Sequence, residues 1–175
     1  IAIFHDVVTI PKNTIPSIES LQLNKNAKIK KIMLNGNKVT MDKSNNDLLK
    51  LDFSNLKIKP ATPLELVFDY TLPLQITNKK IEPFFISSAD NFYPRPARNG
   101  KNDFRVTFNI KVETPEKLNV VSQGEKLSDF VKNSNRTVIW RENKPQEEII
   151  LIADHYQVFT ASHQSISLYA YLHDN

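Results

Sequence analysis

The chain has 175 residues, 40% of them hydrophobic and 24% charged, with a net charge of +4, which is enough to bury one core without metal or disulfide support. With no cysteine and only three glycines, it offers no disulfide, thiolate zinc site or cysteine nucleophile, and no glycine-rich loop to bring backbone amides against a phosphate. Its basic cluster, Lys28, Lys30, Lys31 and Lys38, has no interleaved aromatics for base stacking, which sets nucleic acid aside, and no apolar run approaches the roughly 20 residues that span a bilayer.

Taken in order, alternating or short apolar segments recur at 3–10, 17–23, 29–34, 48–53, 64–72, 104–112, 118–122, 136–142, 147–153, 156–161 and 166–172. Turn signals rich in Asn, Pro and Gly separate them, among them Asn35-Gly36, which supplies the positive φ values of a tight hairpin and so predicts direct pairing of its flanks. The clearest strand is Phe104 to Val112. Phe104, Val106, Phe108, Ile110 and Val112 fall on one side, and Arg105, Thr107, Asn109, Lys111 and Glu113 on the other. Many short strands at this spacing predict a single all-β domain over 1–175, a sandwich or an open curved sheet of mostly antiparallel strands. Residues 128–132 are read as one helical turn or a wide hairpin loop.

The stretch from about 73 to 103 breaks the rhythm. It carries Pro73, Pro83, Pro94 and Pro96, and proline cannot donate to a sheet ladder, so it reads as a long loop with one edge strand near 84–87. Ordered loops on rigid β scaffolds are where function tends to sit. The chain starts at Ile1 and stops at Asn175 just after a strand pattern, which reads as two cut ends.

A catalytic constellation is not evident. His5, His155, His163 and His173 include no pair four residues apart with an adjacent glutamate, so HExxH is missing. His155 and His163, both near strand ends, read as isolated surface histidines. No G-x-S-x-G elbow is present. Asp90 could pair with Asp103 or Glu82 as the two carboxylates of a glycosidase, but single acids in such a loop more simply cap backbone amides.

Read together, several phrases resemble the N-terminal β domain of the zinc aminopeptidase family that includes aminopeptidase N and leukotriene A hydrolase. Phe4-His5-Asp6-Val7-Val8-Thr9-Ile10 is similar to its opening strand, and Ile32-Met33-Leu34-Asn35-Gly36-Asn37-Lys38-Val39 to its I-x-x-V-x-x-N-G-x-x-V hairpin. Leu64 to Tyr70 resembles the strand before its Y-x-G turn. Tyr93-Pro94 followed by Phe104 to Pro115 resembles a Phe-Pro or Tyr-Pro ahead of F-x-x-x-F-x-I-x-V-x-x-P. Val120 to Gly124, Thr137 to Trp140 and Ile150 to Tyr156 are similar to the A-x-S-N-G turn, the next strand and the L-I-A-G-x-Y strand.

The resemblance implies a saddle-shaped, non-catalytic domain that packs on a thermolysin-like catalytic domain of the same polypeptide, with zinc held there and not in this chain. The family's amine-binding phrase is replaced here by Ile86-Ser87-Ser88-Ala89-Asp90-Asn91-Phe92, so no amine-binding residue carries over. Asp90, Asn91 and Tyr93 are the candidate residues facing a peptide substrate at the cleft edge. The plainer reading is that Asp90-Asn91 makes an Asx turn and that Phe92-Tyr93 packs on the sheet. Tyr169 and Tyr171 share one strand face, opposite Ile166, Leu168 and Leu172, and are the candidate docking residues. The alternative function is a stand-alone module of the cell envelope binding carbohydrate or protein, for which the same tyrosines would be the platform. The missing initiator methionine fits a cleaved export signal and equally a chain trimmed to one domain; the compartment is left open, with a lean to a bacterial periplasm or envelope over the cytoplasm.

Overall fold

A computed structural model describes residues 2–10, 20–39, 42–43, 48–50, 63–73, 83–96 and 105–173. Among these the chain is all-β. Its strands in chain order are β1 (Ala2–Ile10), β2 (Ser20–Gln22), β3 (Lys28–Leu34), β4 (Asn37–Lys38), β5 (Asp42–Lys43), β6 (Leu48–Lys50), β7 (Leu64–Leu72), β8 (Phe84–Ile86), β9 (Arg95–Pro96), β10 (Val106–Pro115), β11 (Asn119–Ser122), β12 (Glu125–Lys132), β13 (Asn135–Gln146), β14 (Leu151–Asp154), β15 (Gln157–His163) and β16 (Ile166–Leu172), with one 3-10 turn at Ser88–Asp90. The chain divides into two compact units, one of Ile1–Leu74 with Ser87–Phe104, the other of Gln75–Ile86 with Arg105–Asn175.

The first unit is built on the antiparallel sheet β1-β7-β3-β4. β1 and β7 pair along their whole length, from Ala2 opposite Leu72 to Ile10 opposite Leu64. Because strand side chains alternate, this register puts Phe4, Asp6, Val8 and Ile10 on the same face as Tyr70, Phe68 and Leu66. β3 brings Ile32 and Leu34 opposite Phe68 and Leu66 on the other side of β7, and Phe68, Leu66 and Tyr70 are fully buried. The other face carries His5, Val7 and Thr9 into solvent. Asn35 and Gly36 both have positive φ, 46° and 81°, so β3 and β4 pair directly, Leu34 opposite Asn37, as the Asn-Gly signal predicts. A second sheet, β5-β6-β2-β9, consists of two- and three-residue strands. Pro96 sits in its edge strand β9, where a missing amide costs no ladder bond.

The second unit holds the sheets β10-β13-β12 and β11-β14-β8 and the two-stranded β15-β16. β10 keeps the predicted alternation, with Arg105 exposed ahead of it and Thr107, Asn109, Lys111 and Glu113 exposed along it, and Val106, Phe108, Ile110 and Val112 half-buried; Phe104 lies outside the described residues. Its core gathers Leu118, Val120, Val138, Trp140, Ile149, Leu151, Ala153 and Ile86. Trp140 donates its indole N–H to the Val120 carbonyl at 3.2 Å, which satisfies the one polar atom of a buried ring. β8 is an edge strand at Phe84–Ile86, as expected, paired among the described residues only with β14.

Two expectations are overturned. Residues 128–132 form neither a helical turn nor a wide loop but the end of β12, paired with β13 from Ser128 opposite Ile139 to Lys132 opposite Asn135. The cause is the connection: Asn133 and Ser134 both adopt positive φ, 52° and 60°, closing a two-residue hairpin whose geometry fixes the strands into register. Glu147 to Ile150 likewise stay outside any strand, and β14 begins at Leu151. Gly124 enters β12 at φ 87°, and a Cβ there would run into the Arg141 backbone, so only glycine fits.

Candidate functional site

The loop Ser87 to Pro96 is held by a dense set of its own bonds. Ser87 is extended and caps the 3-10 turn. Its hydroxyl accepts from the Ala89 amide at 3.2 Å, and its own amide donates to the Asp90 carboxylate at 2.9 Å. That reciprocal arrangement is a capping box, and it follows from Ser and Asp three residues apart. Asn91 ends the turn in the left-handed region at φ 48°, a conformation that asparagine tolerates well. Its side-chain oxygen accepts two bonds from the Arg95 guanidinium, at 3.1 and 2.9 Å. Asn24 completes the brace: its amide donates to the Asn91 carbonyl and its side chain to the Asp90 carbonyl, both at 2.7 Å.

Past the turn the chain dives inward. Phe92 and Tyr93 are 3% and 8% exposed and meet edge to face, with centroids 4.9 Å apart. Phe92 lies 6.2 Å from Phe4, which stacks on Tyr70 at 5.0 Å. The Tyr70 hydroxyl lies 2.5 Å from the Phe92 carbonyl and 2.5 Å from a carboxylate oxygen of Asp6. Burial raises the Asp6 pKa from 3.8 to about 6, against the opposing pull of the Tyr70 hydroxyl and of His5. Burial, then the Asp6 charge, push the Tyr70 phenol far above its ordinary value.

Of the sequence-predicted residues, Asp90, Asn91 and Tyr93 therefore come together on this loop, and each already has a partner within the unit. Asp90 remains exposed. Asp103 and Glu82 lie outside the described residues. The sequence reading missed Asp6 and Tyr70 as a pair. The available signal was Asp6 itself, an acid at a parity otherwise filled by Phe4, Val8 and Ile10.

Tyr169 and Tyr171 lie on β16 in a hairpin with β15, Thr160 opposite Tyr169 and Val158 opposite Tyr171. On this face Tyr169 is 51% exposed and Tyr171 is half-buried. The Lys126 ammonium sits 5.2 Å from the Tyr169 ring centre, and Tyr156 meets Tyr171 edge to face at 5.8 Å. The Tyr171 hydroxyl is buried. The opposite face bears Phe159, Ile166, Leu168 and Leu172, which are 53%, 58%, 55% and 54% exposed. His155 contacts the Lys117 carbonyl and His173 the Asp154 carboxylate. Among the described residues no three His, Cys, Asp or Glu side chains group to hold a metal ion, and no helix is long and apolar enough to cross a membrane.

Solved M1 zinc metallopeptidases share this fold. The M1 zinc metallopeptidase of Deinococcus radiodurans, as a mutant bound to a Tyr-Ser-Ala substrate, matches at a TM-score of 0.63 and 14% identity over 95% of this chain and 42% of its own. The same organism's enzyme without the mutation matches at 0.61 and 13%, over 95% and 41%. Aminopeptidase A of Legionella pneumophila, in complex with aspartic acid, matches at 0.71 and 14%, over 97% and 22%. The chain thus spans less than half the length of the metallopeptidase and about a fifth of the aminopeptidase. No protein-family model matches, and no curated protein matches.

Proposed function

We propose that these 175 residues act as one non-catalytic β domain of an aminopeptidase-like zinc metallopeptidase, packing on a catalytic domain in the same polypeptide and shaping one side of its cleft. The observation that carries this reading is the fold likeness, which takes in nearly all of this chain and only a part of each metallopeptidase. Zinc and the chemistry of hydrolysis belong, on this reading, to the catalytic domain. This chain contributes shape and contact.

Two regions take the contact roles. The loop from Ser87 to Pro96 borders the cleft, where exposed Asp90 is the acid available to a peptide's free amine, with Asn91 and Tyr93 holding the loop behind it. The β15-β16 hairpin docks, through Tyr169 and Tyr171 on one face or Phe159, Ile166, Leu168 and Leu172 on the other, both faces being open at Tyr169 and Leu168. Exposed apolar side chains in a contiguous patch are the usual mark of a surface meant to be covered. The proposed setting is a bacterial periplasm or envelope.

The test is to produce the full product of the encoding gene and this chain separately. The expected result is zinc content and hydrolysis of aminoacyl amide substrates by the full product, with neither in the isolated chain. Hydrolysis by the isolated chain, or a zinc-free and inactive full product, overturns the reading. Asp90→Ala in the full product should raise KM for peptides without lowering zinc content.

A further inference from the structure

The contact between Tyr70, Asp6 and Phe92 poses a problem in counting protons. A hydroxyl has one proton to give. Tyr70 has two oxygen neighbours at 2.5 Å, the Asp6 carboxyl and the Phe92 carbonyl, and neither a carboxylate nor a carbonyl can donate. If Asp6 is ionised, the two acceptors compete for a single proton, and one contact sets two oxygen lone pairs against each other in a half-buried place. If Asp6 is a neutral acid, both contacts become hydrogen bonds: the acid O–H donates to the Tyr70 oxygen, and the Tyr70 O–H donates to the Phe92 carbonyl.

We propose that Asp6 in its protonated form ties the Ser87 to Pro96 loop to the β1-β7 sheet through Tyr70, and that ionisation of Asp6 releases this tie. The surroundings agree. Burial moves the Asp6 carboxyl up to about 6, so the proton leaves within the mildly acidic to neutral range. Tyr70 keeps its own proton throughout, since its phenol is pushed upward.

Of the other charged groups near Asp6, His5 pulls its carboxyl downward without overcoming the burial, and the rest are engaged elsewhere. His5, next in sequence, turns to the opposite face and contacts Asp69 of β7 at 2.5 Å. On β3, Lys31 stands opposite Asp69 and Lys28 opposite Thr71, on that same outer face, and Lys30 is exposed. On the loop, Asp90 accepts from the Ser87 amide and Arg95 donates to Asn91. No cation is recorded in contact with the Asp6 carboxyl among the described residues, which leaves the proton as its means of neutralisation.

The inference does not depend on the loop bordering a substrate, and it is tested on the 175-residue chain. Amide hydrogen exchange at residues 87–95 and at Asn24, normalised to intrinsic rates, should show protection that falls by roughly tenfold or more between pH 5 and pH 7.5, a pKa unit being a factor of ten. Asp6→Asn keeps a donor toward Tyr70, so its loop should stay protected at both pH values. His5→Gln should retain the wild-type transition. Equal protection of the wild-type loop at the two pH values, an unchanged transition in Asp6→Asn, or loss of the transition in His5→Gln each overturns the proposal. Should a variant fold poorly, a carbon-13 titration of the wild-type Asp6 carboxyl decides alone: a midpoint near 6 is expected, and one in the ordinary carboxylate range refutes it.

Discussion

The Ser87–Pro96 loop and the β15-β16 hairpin are both contact candidates, yet they are built in opposite ways. The loop has almost no regular structure but sinks two aromatic rings into its unit and spends its polar groups on its own backbone. The hairpin is perfectly regular and leaves Phe159, Ile166, Leu168 and Leu172 more than half exposed on one face and Tyr169 on the other. Regular hydrogen bonding and burial are therefore separate properties here. The loop is stabilised by what lies beneath it; the hairpin presents a surface suited to something laid on it.

Mutations break this contrast in graded fashion. The largest effect is expected from Phe92→Ala, which empties a buried aromatic site under the loop and should cost about 3–5 kcal/mol in a urea unfolding curve. Next comes pH. The Asp6 carboxyl binds its proton more tightly in the folded chain, with a pKa of about 6 against 3.8. The stability this supplies is complete below the unfolded pKa and is lost as pH rises through about 6, for a total on the order of 3 kcal/mol. The difference between wild type and Asp6→Asn across pH 4 to 7.5 measures it, and a flat difference contradicts it. Asp90→Ala removes half of the capping box and should cost about 1 kcal/mol, read from the same unfolding curves.

At the small end, Leu168→Lys on the hairpin should change stability of the isolated chain by less than about 0.5 kcal/mol. The same substitution should weaken binding to the proposed catalytic domain, produced separately, by at least roughly tenfold, if this is the face that docks, since it places a charge in the patch then covered. Calorimetric titration reads that difference. If Leu168→Lys instead unfolds the chain, the exposed face has been assigned wrongly.

Much of this fold was legible wherever a strand was long enough to show its period. β7 and β16 occupy the predicted ranges, and the Asn35-Gly36 turn pairs its flanks as expected. Short elements carry no such signal. Two residues, Arg95 and Pro96, cannot display a period, and they form a strand only because Leu21 and Gln22 lie alongside. Residues 128–132 were misread because Asn133-Ser134 is a less recognisable positive-φ pair than Asn-Gly. In the candidate site, the competition between cap and cleft roles for Asp90 was visible in Ser87 and Asp90 at capping spacing. The link between Asp6 and Tyr70 was not visible, because 64 residues separate them and only the β1-β7 register aligns them. For the hairpin, parity separated the two faces correctly but said nothing about burial: each face keeps a large side chain more than half exposed, Leu168 on one and Tyr169 on the other.

A ribbon of only two strands also has two unpaired borders, and β15-β16 joins no other sheet among the described residues. Each border offers a row of free amides and carbonyls, and one flat side is greasy. Such a ribbon is a template for stacking against its own kind. Kept at high concentration, this chain should clump through that ribbon first, so a charge at Leu168 should lengthen its shelf life.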